Sequence, residues 1–175
     1  SSVLLIGTGG VSMLALQLAK AAGARVIATS SSDAKLERMR KLGADALINY
    51  ATTPDWGARA AEQAGGGVDH VVEVGGPGTL AQSMQAVGFG GEIALIGVLS
   101  MQGDTNPMPL MLKGAGLRGI FVGSAQMARD LNAFVDHHGI APLIDRAFAF
   151  EDAVAAYAYQ ASPALFGKTV ITIAD

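Results

Sequence analysis

An apolar run that stops at a glycine turn and passes directly into an apolar helix leaves a chain few ways to fold. Residues 3–23 of this chain, VLLIGTGGVSMLALQLAKAAG, have that form. Val3, Leu4, Leu5 and Ile6 predict a buried strand, Gly7-Thr8-Gly9-Gly10 a tight turn, and Val11–Ala22 a helix that Gly23 ends. Each glycine has its own use. Gly7 permits the turn, and Gly9, without a Cβ, lets a ligand approach the backbone. The unpaired amides and positive dipole end of the helix then favour an anion. Ser12 stands at the third small-residue position, where close packing of helix on strand is needed. Spaced in this way, Thr8, Gly9, Gly10 and Val11 are candidate contacts for the pyrophosphate of a dinucleotide. The plainer reading is a tight turn with no ligand.

The same order of elements recurs along the chain. Strands are predicted at Arg25–Thr29, Ala46–Asn49, Val68–Val74, Glu92–Gly97 and Leu117–Val122. Helices are predicted at Asp33–Leu42, from a Thr53-Pro54 start to Ala64, at Thr79–Val87, at Leu110–Lys113 within a looser section, and at Ala125–His138. The first helix is apolar nearly all round, which predicts burial on more than one side. Six strands alternating with helices imply an α/β fold, a Rossmann-type doubly wound parallel sheet ordered 3-2-1-4-5-6. Residues 1–140 complete that domain. Residues 141–175 form a strand–helix–strand tail that the sheet does not need: Leu143–Phe150 extended, Glu151–Ala161 helical and Lys168–Ile173 extended.

Composition narrows the function classes. The chain has 175 residues, half of them hydrophobic and 15% charged, enough for one domain with a full core and unlike a disordered segment. Its net charge of −3 and lack of a basic stripe argue against a nucleic-acid partner. No apolar run approaches the roughly 18 residues of a membrane span, so no membrane partner is expected. The absence of cysteine rules out disulfides and thiolate metal sites, fits a reducing compartment and by itself leaves localisation open; a cytoplasmic setting is expected. The first strand begins at Val3 with no initiator Met, although in this fold that strand is central, so the chain reads as an excised domain or fragment.

With these residues placed, the whole chain resembles the cofactor-binding part of the medium-chain dehydrogenase/reductase superfamily, particularly zinc-type alcohol dehydrogenases and quinone oxidoreductases. The resemblance is carried by GTGGVSMLALQLAKAAGARVIATSSSDAKLERMRKLGADALINY, GVDHVVEVGG, GGEIALIGVLS and FGKTVITI, in that order. It implies hydride transfer between a nicotinamide cofactor and an alcohol, carbonyl or quinone-type substrate. It also implies a separate N-terminal domain, absent here, that carries the catalytic residues and any zinc. The tail resembles the segment that returns to that domain. No catalytic residue and no zinc are therefore expected in this chain, and it is expected to be inactive alone. The alternative is a non-catalytic dinucleotide-binding module used as a sensor or assembly subunit.

The choice of dinucleotide is expected at the end of the second strand, where an NAD site places an acid roughly 20 residues past the turn. Ser30 stands there, followed by Ser31 and Ser32. Small hydroxyls leave room for a 2′-phosphate, and Lys35 offers a point charge one helical turn on, with Arg38 beyond it. NADP(H) is therefore expected over NAD(H). The competing reading is a helix cap with solvated charges. Tyr50 resembles a family position near the 2′-phosphate. Gly75 stands at the carboxyl end of the fourth strand, on the ligand-binding edge. By resemblance, Gly97, Val98, Phe121 and Val122 line the nicotinamide. His70, His137 and His138 are dispersed and read as structural, the last two favouring a helix C-terminus. The sixth strand, residues 117–122, ends the sheet with one side unpaired, and the resemblance implies a homodimer through it. A tail segment folded over that edge is the competing arrangement.

Overall fold

The computed structural model describes residues 1–103 and 106–173. Six parallel strands are ordered β3-β2-β1-β4-β5-β6. They are β1 Ser2–Ile6, β2 Arg25–Ser30, β3 Ala46–Asn49, β4 Val68–Glu73, β5 Val87–Leu95 and β6 Gly116–Gly119. The helices are α1 Gly10–Ala21, α2 Asp33–Lys41, α3 Trp56–Gln63, α4 Pro77–Ala86, α5 Met108–Lys113 and α6 Ala125–His138. The tail adds β7 Ile144–Ala149, α7 Ala153–Gln160 and β8 Lys168–Thr172. Its two strands pair in parallel as a separate sheet.

Helices on both faces explain why β1 and β2 read as continuous apolar runs rather than alternating ones. Leu4 and Ile27 face one core with Trp56, Val71 and Ile93, whereas Leu5, Val26 and Ala28 face the other with Met13, Leu16 and Met39. Each fully buried Leu or Ile contributes about 1.5–3 kcal/mol over its exposed state. Ser12 occupies the third fingerprint position at no polar cost: it is buried, and its hydroxyl donates to the Ile6 carbonyl at 2.7 Å, tying α1 to β1.

The tail is part of this packing. Phe166 is fully buried among Leu5, Met13, Leu16 and Met39. The Gly167 amide donates to the Thr8 carbonyl at 2.9 Å, and Gln17 donates to the Ala141 carbonyl at 2.8 Å. This cover explains the character of α1, in which Ser12, Met13 and Leu16 are buried and Leu14 and Leu18 half-buried.

Several boundaries differ from the sequence expectation. Helix α3 starts at Trp56 rather than at Thr53-Pro54, because the Thr52 and Thr53 amides both turn back onto the Asn49 carbonyl. Strand β5 begins five residues early, at Val87, passing through Gly90 at φ +68° before it pairs regularly with β4. It also stops at Leu95, which leaves Gly97 and Val98 beyond it. Strand β6 is four residues long, not six. Its partner β5 gives out at Leu95, and the Ile120 amide makes the last bond, to the Leu95 carbonyl. The tail forms its own sheet, so β6 stays at the edge with all four residues exposed.

Candidate functional site

The strand order reverses between β1 and β4, and a cleft of about 500 Å³ opens at their carboxyl ends. Ile6 and Gly7 of the first turn form one wall, with Tyr50 and Trp56 after β3 beside them. Val74, Gly75, Gly78 and Thr79 form the opposite wall, closed by Leu99 and Ser100 from the β5–α5 loop. A crevice at such a switch point is where open α/β sheets take ligands.

The glycine turn leaves an uncapped helix start with open space beside it. Gly7 holds φ +73°, which disfavours any side chain. Gly9 precedes the helix in an extended conformation (φ −75°), provides no side-chain cap, and has nothing within 4 Å of where a Cβ would lie. No side chain caps the first-turn amides of α1, and the space beside Gly9 is open to an outside acceptor. Thr8 is buried, Gly10 opens the helix and Val11 is partly exposed in its first turn. Lys168, at the start of β8, lies across Gly10: a Cβ there would collide with the Lys168 stem and sit 2.7 Å from its ammonium nitrogen. A cation from the tail therefore stands beside the helix N-terminus.

At the end of β2, Ser30 is buried with its hydroxyl accepting from the Ser32 amide at 3.2 Å, and Ser31 is exposed. Ser32 caps α2 by accepting from the Lys35 amide. The cations expected beside this edge are engaged elsewhere. Lys35 Nζ donates to the carbonyls of Pro163 at 2.6 Å and Leu165 at 2.7 Å. Burial pushes its ammonium below the ordinary lysine value, with Asp145 opposing that shift and Arg38 adding to it. Arg38 pairs with Asp145 at 2.9 Å and lies over the Phe166 ring at 3.9 Å from its centre. Lys35 is therefore not a free point charge, because the tail's carbonyls hold it. The cap reading of SSSDAK accounts for Ser32, and Asp33 accepts from Asn49 at 2.7 Å.

Of the other expected residues, Tyr50 and Gly75 meet in the cleft. Gly97 and Val98 lie against that wall: a Cβ at Gly97 would come 2.5 Å from the Val74 carbonyl oxygen, and one at Gly76 would meet Val98 Cα at 3.0 Å. Phe121 and Val122 are not brought into the cleft. They lie past the end of β6, 97% and 76% exposed. Leu99, Ser100, Thr79 and Trp56 were missed as cleft residues. Lys168 had no local signal, since only the tail's crossing brings it to Gly10. Glu73 did have one, an acid at the end of an apolar strand, separated from paired glycines by Val74 alone. Among the described residues, no group of three or more His, Cys, Asp or Glu is placed to hold a metal ion.

The sequence profile of the zinc-binding dehydrogenase family matches residues 10–137, which include the first helix, most of the sheet and the cleft walls after β3, β4 and β5. The chain belongs to this family. A zinc-type alcohol dehydrogenase-like protein of Schizosaccharomyces pombe is 45% identical over 99% of this chain and 52% of its own length. A solved NAD-dependent alcohol dehydrogenase superposes with a TM-score of 0.89 at 32% identity, over 99% of this chain and 51% of the other. A Sinorhizobium meliloti structure described as an alcohol dehydrogenase gives a TM-score of 0.90 at 41% identity, over 98% of this chain and 50% of the other. The chain thus spans about half the length of the relatives it matches.

Proposed function

We propose that this chain is the nicotinamide-dinucleotide-binding portion of an oxidoreductase that moves hydride to or from an alcohol, carbonyl or quinone-type substrate. The observation that carries the reading is the uncapped α1 N-terminus behind Gly9, open to solvent and bordering a switch-point cleft. The bound nicotinamide supplies the hydride chemistry. The chain's own residues bind and orient it: Thr8, Gly9, Gly10 and Val11 present backbone to the pyrophosphate, and Lys168 adds a positive charge beside it. Tyr50 and Gly75 wall the cleft, with Gly97 and Val98 behind. Phe121 and Val122 belong to the reading only as the outer end of the same edge. Small-molecule substrate and catalytic groups belong to the remainder of the intact enzyme, and the 175-residue chain alone is expected to be inactive. A cytoplasmic setting, where such cofactors are recycled, is part of the proposal.

We further propose NADP(H) over NAD(H). The support is Ser30 and Ser31 at the position where an NAD site carries an acid. With Lys35 held by the tail, the preference rests on missing repulsion and room more than on a dedicated cation. One matched relative is NAD-dependent, so the choice turns on these residues. Calorimetric titration tests it: NADPH should bind more tightly than NADH, and Ser30→Asp should shift the ratio of the two affinities toward NADH at least tenfold. Equal binding of both cofactors by the unmodified chain refutes the preference. Binding of neither refutes the nicotinamide reading.

A homodimer through the sheet edge completes the proposal. Every residue of β6 is exposed, and Leu117, Phe121 and Val122 add apolar surface beside an unpaired strand side. Such an edge pairs readily with a second copy.

A further inference from the structure

Glu73 is the only ionisable side chain among the fully buried residues described. It ends β4 at the reversal of strand order, and no Lys or Arg is paired with it among the described ion pairs. Four dipoles hold it instead. One oxygen accepts from the Gly75 amide at 2.7 Å, the Gly76 amide at 3.0 Å and the Thr79 hydroxyl at 2.6 Å. The other oxygen accepts from the Ser83 hydroxyl. Burying a carboxylate is costly unless its lone pairs are met, and bonds to a charged acceptor are the strong ones. The carboxylate also lies at the N-terminal end of α4, where the helix dipole favours negative charge. An apolar residue would close that strand more cheaply, so the arrangement calls for a role beyond packing.

The bonds lead from Glu73 to the cleft. The peptide joining Gly75 to Gly76, whose N–H donates to Glu73, accepts on its carbonyl oxygen from the Leu99 and Ser100 amides, each at 3.0 Å. Gly75 and Thr79, together with Leu99 and Ser100, line the cleft. Gly76 takes φ +79° with a Cβ position crowded by Val98, so this turn is both strained for other residues and closely packed. One buried carboxylate thus fixes the β4–α4 turn directly and, through one peptide, the loop packed against it.

We infer that Glu73 is a positioning residue that sets cofactor affinity without touching the cofactor, by clamping the Gly75-Gly76 turn and through it residues 98–100. This rests on the nicotinamide-dinucleotide reading of the cleft. Preorganising a wall in its bound geometry removes an ordering cost from binding, so loss of the clamp appears as weaker affinity in a protein that is still folded.

The test is NADPH titration of the unmodified chain, Glu73→Gln, Glu73→Ala and Ser83→Ala, each shown folded by circular dichroism. Amide hydrogen exchange is measured at Gly75, Gly76, Leu99 and Ser100. Glutamine keeps an acceptor for both glycine amides and should hold affinity within threefold. Alanine should lose at least tenfold and speed exchange at those four amides, leaving the amides of β1 and β2 unchanged. Ser83 lies outside the cleft lining and bonds Glu73, so Ser83→Ala should weaken binding two- to fivefold through Glu73. Should Glu73→Ala fail to fold, the Ser83 variant decides. Affinities within twofold of the unmodified chain in the folded alanine variants overturn the inference. If the unmodified chain binds no cofactor, the functional reading fails, and the exchange rates still decide whether Glu73 holds the turn.

Discussion

Replacing Gly9 with alanine separates what the fold needs at the turn from what the ligand needs. Gly9 lies at φ −75° and ψ 178°, a conformation any residue adopts, and a Cβ there meets nothing within 4 Å. Two small effects on stability oppose each other. Alanine restricts the unfolded chain, which stabilises by about 0.4–1 kcal/mol. It is also a poorer N-cap than glycine, at a cost of about 0.5–1 kcal/mol. The net change is expected to lie within about 1 kcal/mol. Binding is different, because the same methyl group occupies the space through which a phosphate reaches the α1 amides. NADPH affinity should fall at least tenfold, about 1.4 kcal/mol. Gly7 is the control: its Cβ position is equally open, but φ is +73°, so alanine there should cost about 1–2 kcal/mol of stability. Urea unfolding gives the first quantity and cofactor titration the second. Gly9→Ala with undiminished affinity refutes the placement of a phosphate over this turn. A loss of more than about 2 kcal/mol in its stability refutes the reading of Gly9 as conformationally ordinary.

Asp145 governs how acid loosens the tail. Burial alone would raise its pKa, but bonds from Arg38, Tyr159 and the Phe166 amide outweigh that and hold it below the ordinary carboxylate value. A depressed folded value means stability that is present above the unfolded pKa of about 3.9 and lost as pH falls through the folded one. The unmodified chain should therefore lose stability below pH ~4 more steeply than Asp145→Asn, and equal slopes in urea melts across that range would sink the argument. The dimer edge can be probed at Gly119. The Ile120 amide faces inward to Leu95, and strand alternation turns the Gly119 amide outward. Gly119→Pro should leave the sheet intact by circular dichroism and convert dimer to monomer in sedimentation, whereas a persisting dimer places the interface elsewhere.

How much was legible in the sequence depended on the range of the interactions responsible. Val3–Ile6, the glycine turn and the helix after it are fixed by local rules of burial, positive φ and helix start, so the first unit reads correctly from residues alone. The order of six strands follows in the same way, since short connections and right-handed crossovers leave little choice. The start of α3 was misplaced because Thr53-Pro54 is a good local signal overruled by the Asn49 turn and by Trp56 settling in the core. The length of β6 was not legible because it depends on where a different strand, β5, stops.

At the site the division is sharper. By itself the sequence determined an α/β sheet with a glycine turn under a helix N-terminus, and serines where an acid would otherwise stand, because those features need only neighbouring residues. Tertiary structure alone decided the remainder. It engaged Lys35 with carbonyls 128 and 130 residues away, brought Lys168 to Gly10, and closed the cleft with Leu99 and Ser100 through the turn that Glu73 holds. Those placements come from a tail packing Phe166 into the core and from one carboxylate's demand for donors once buried. Neither requirement exists until the chain has folded.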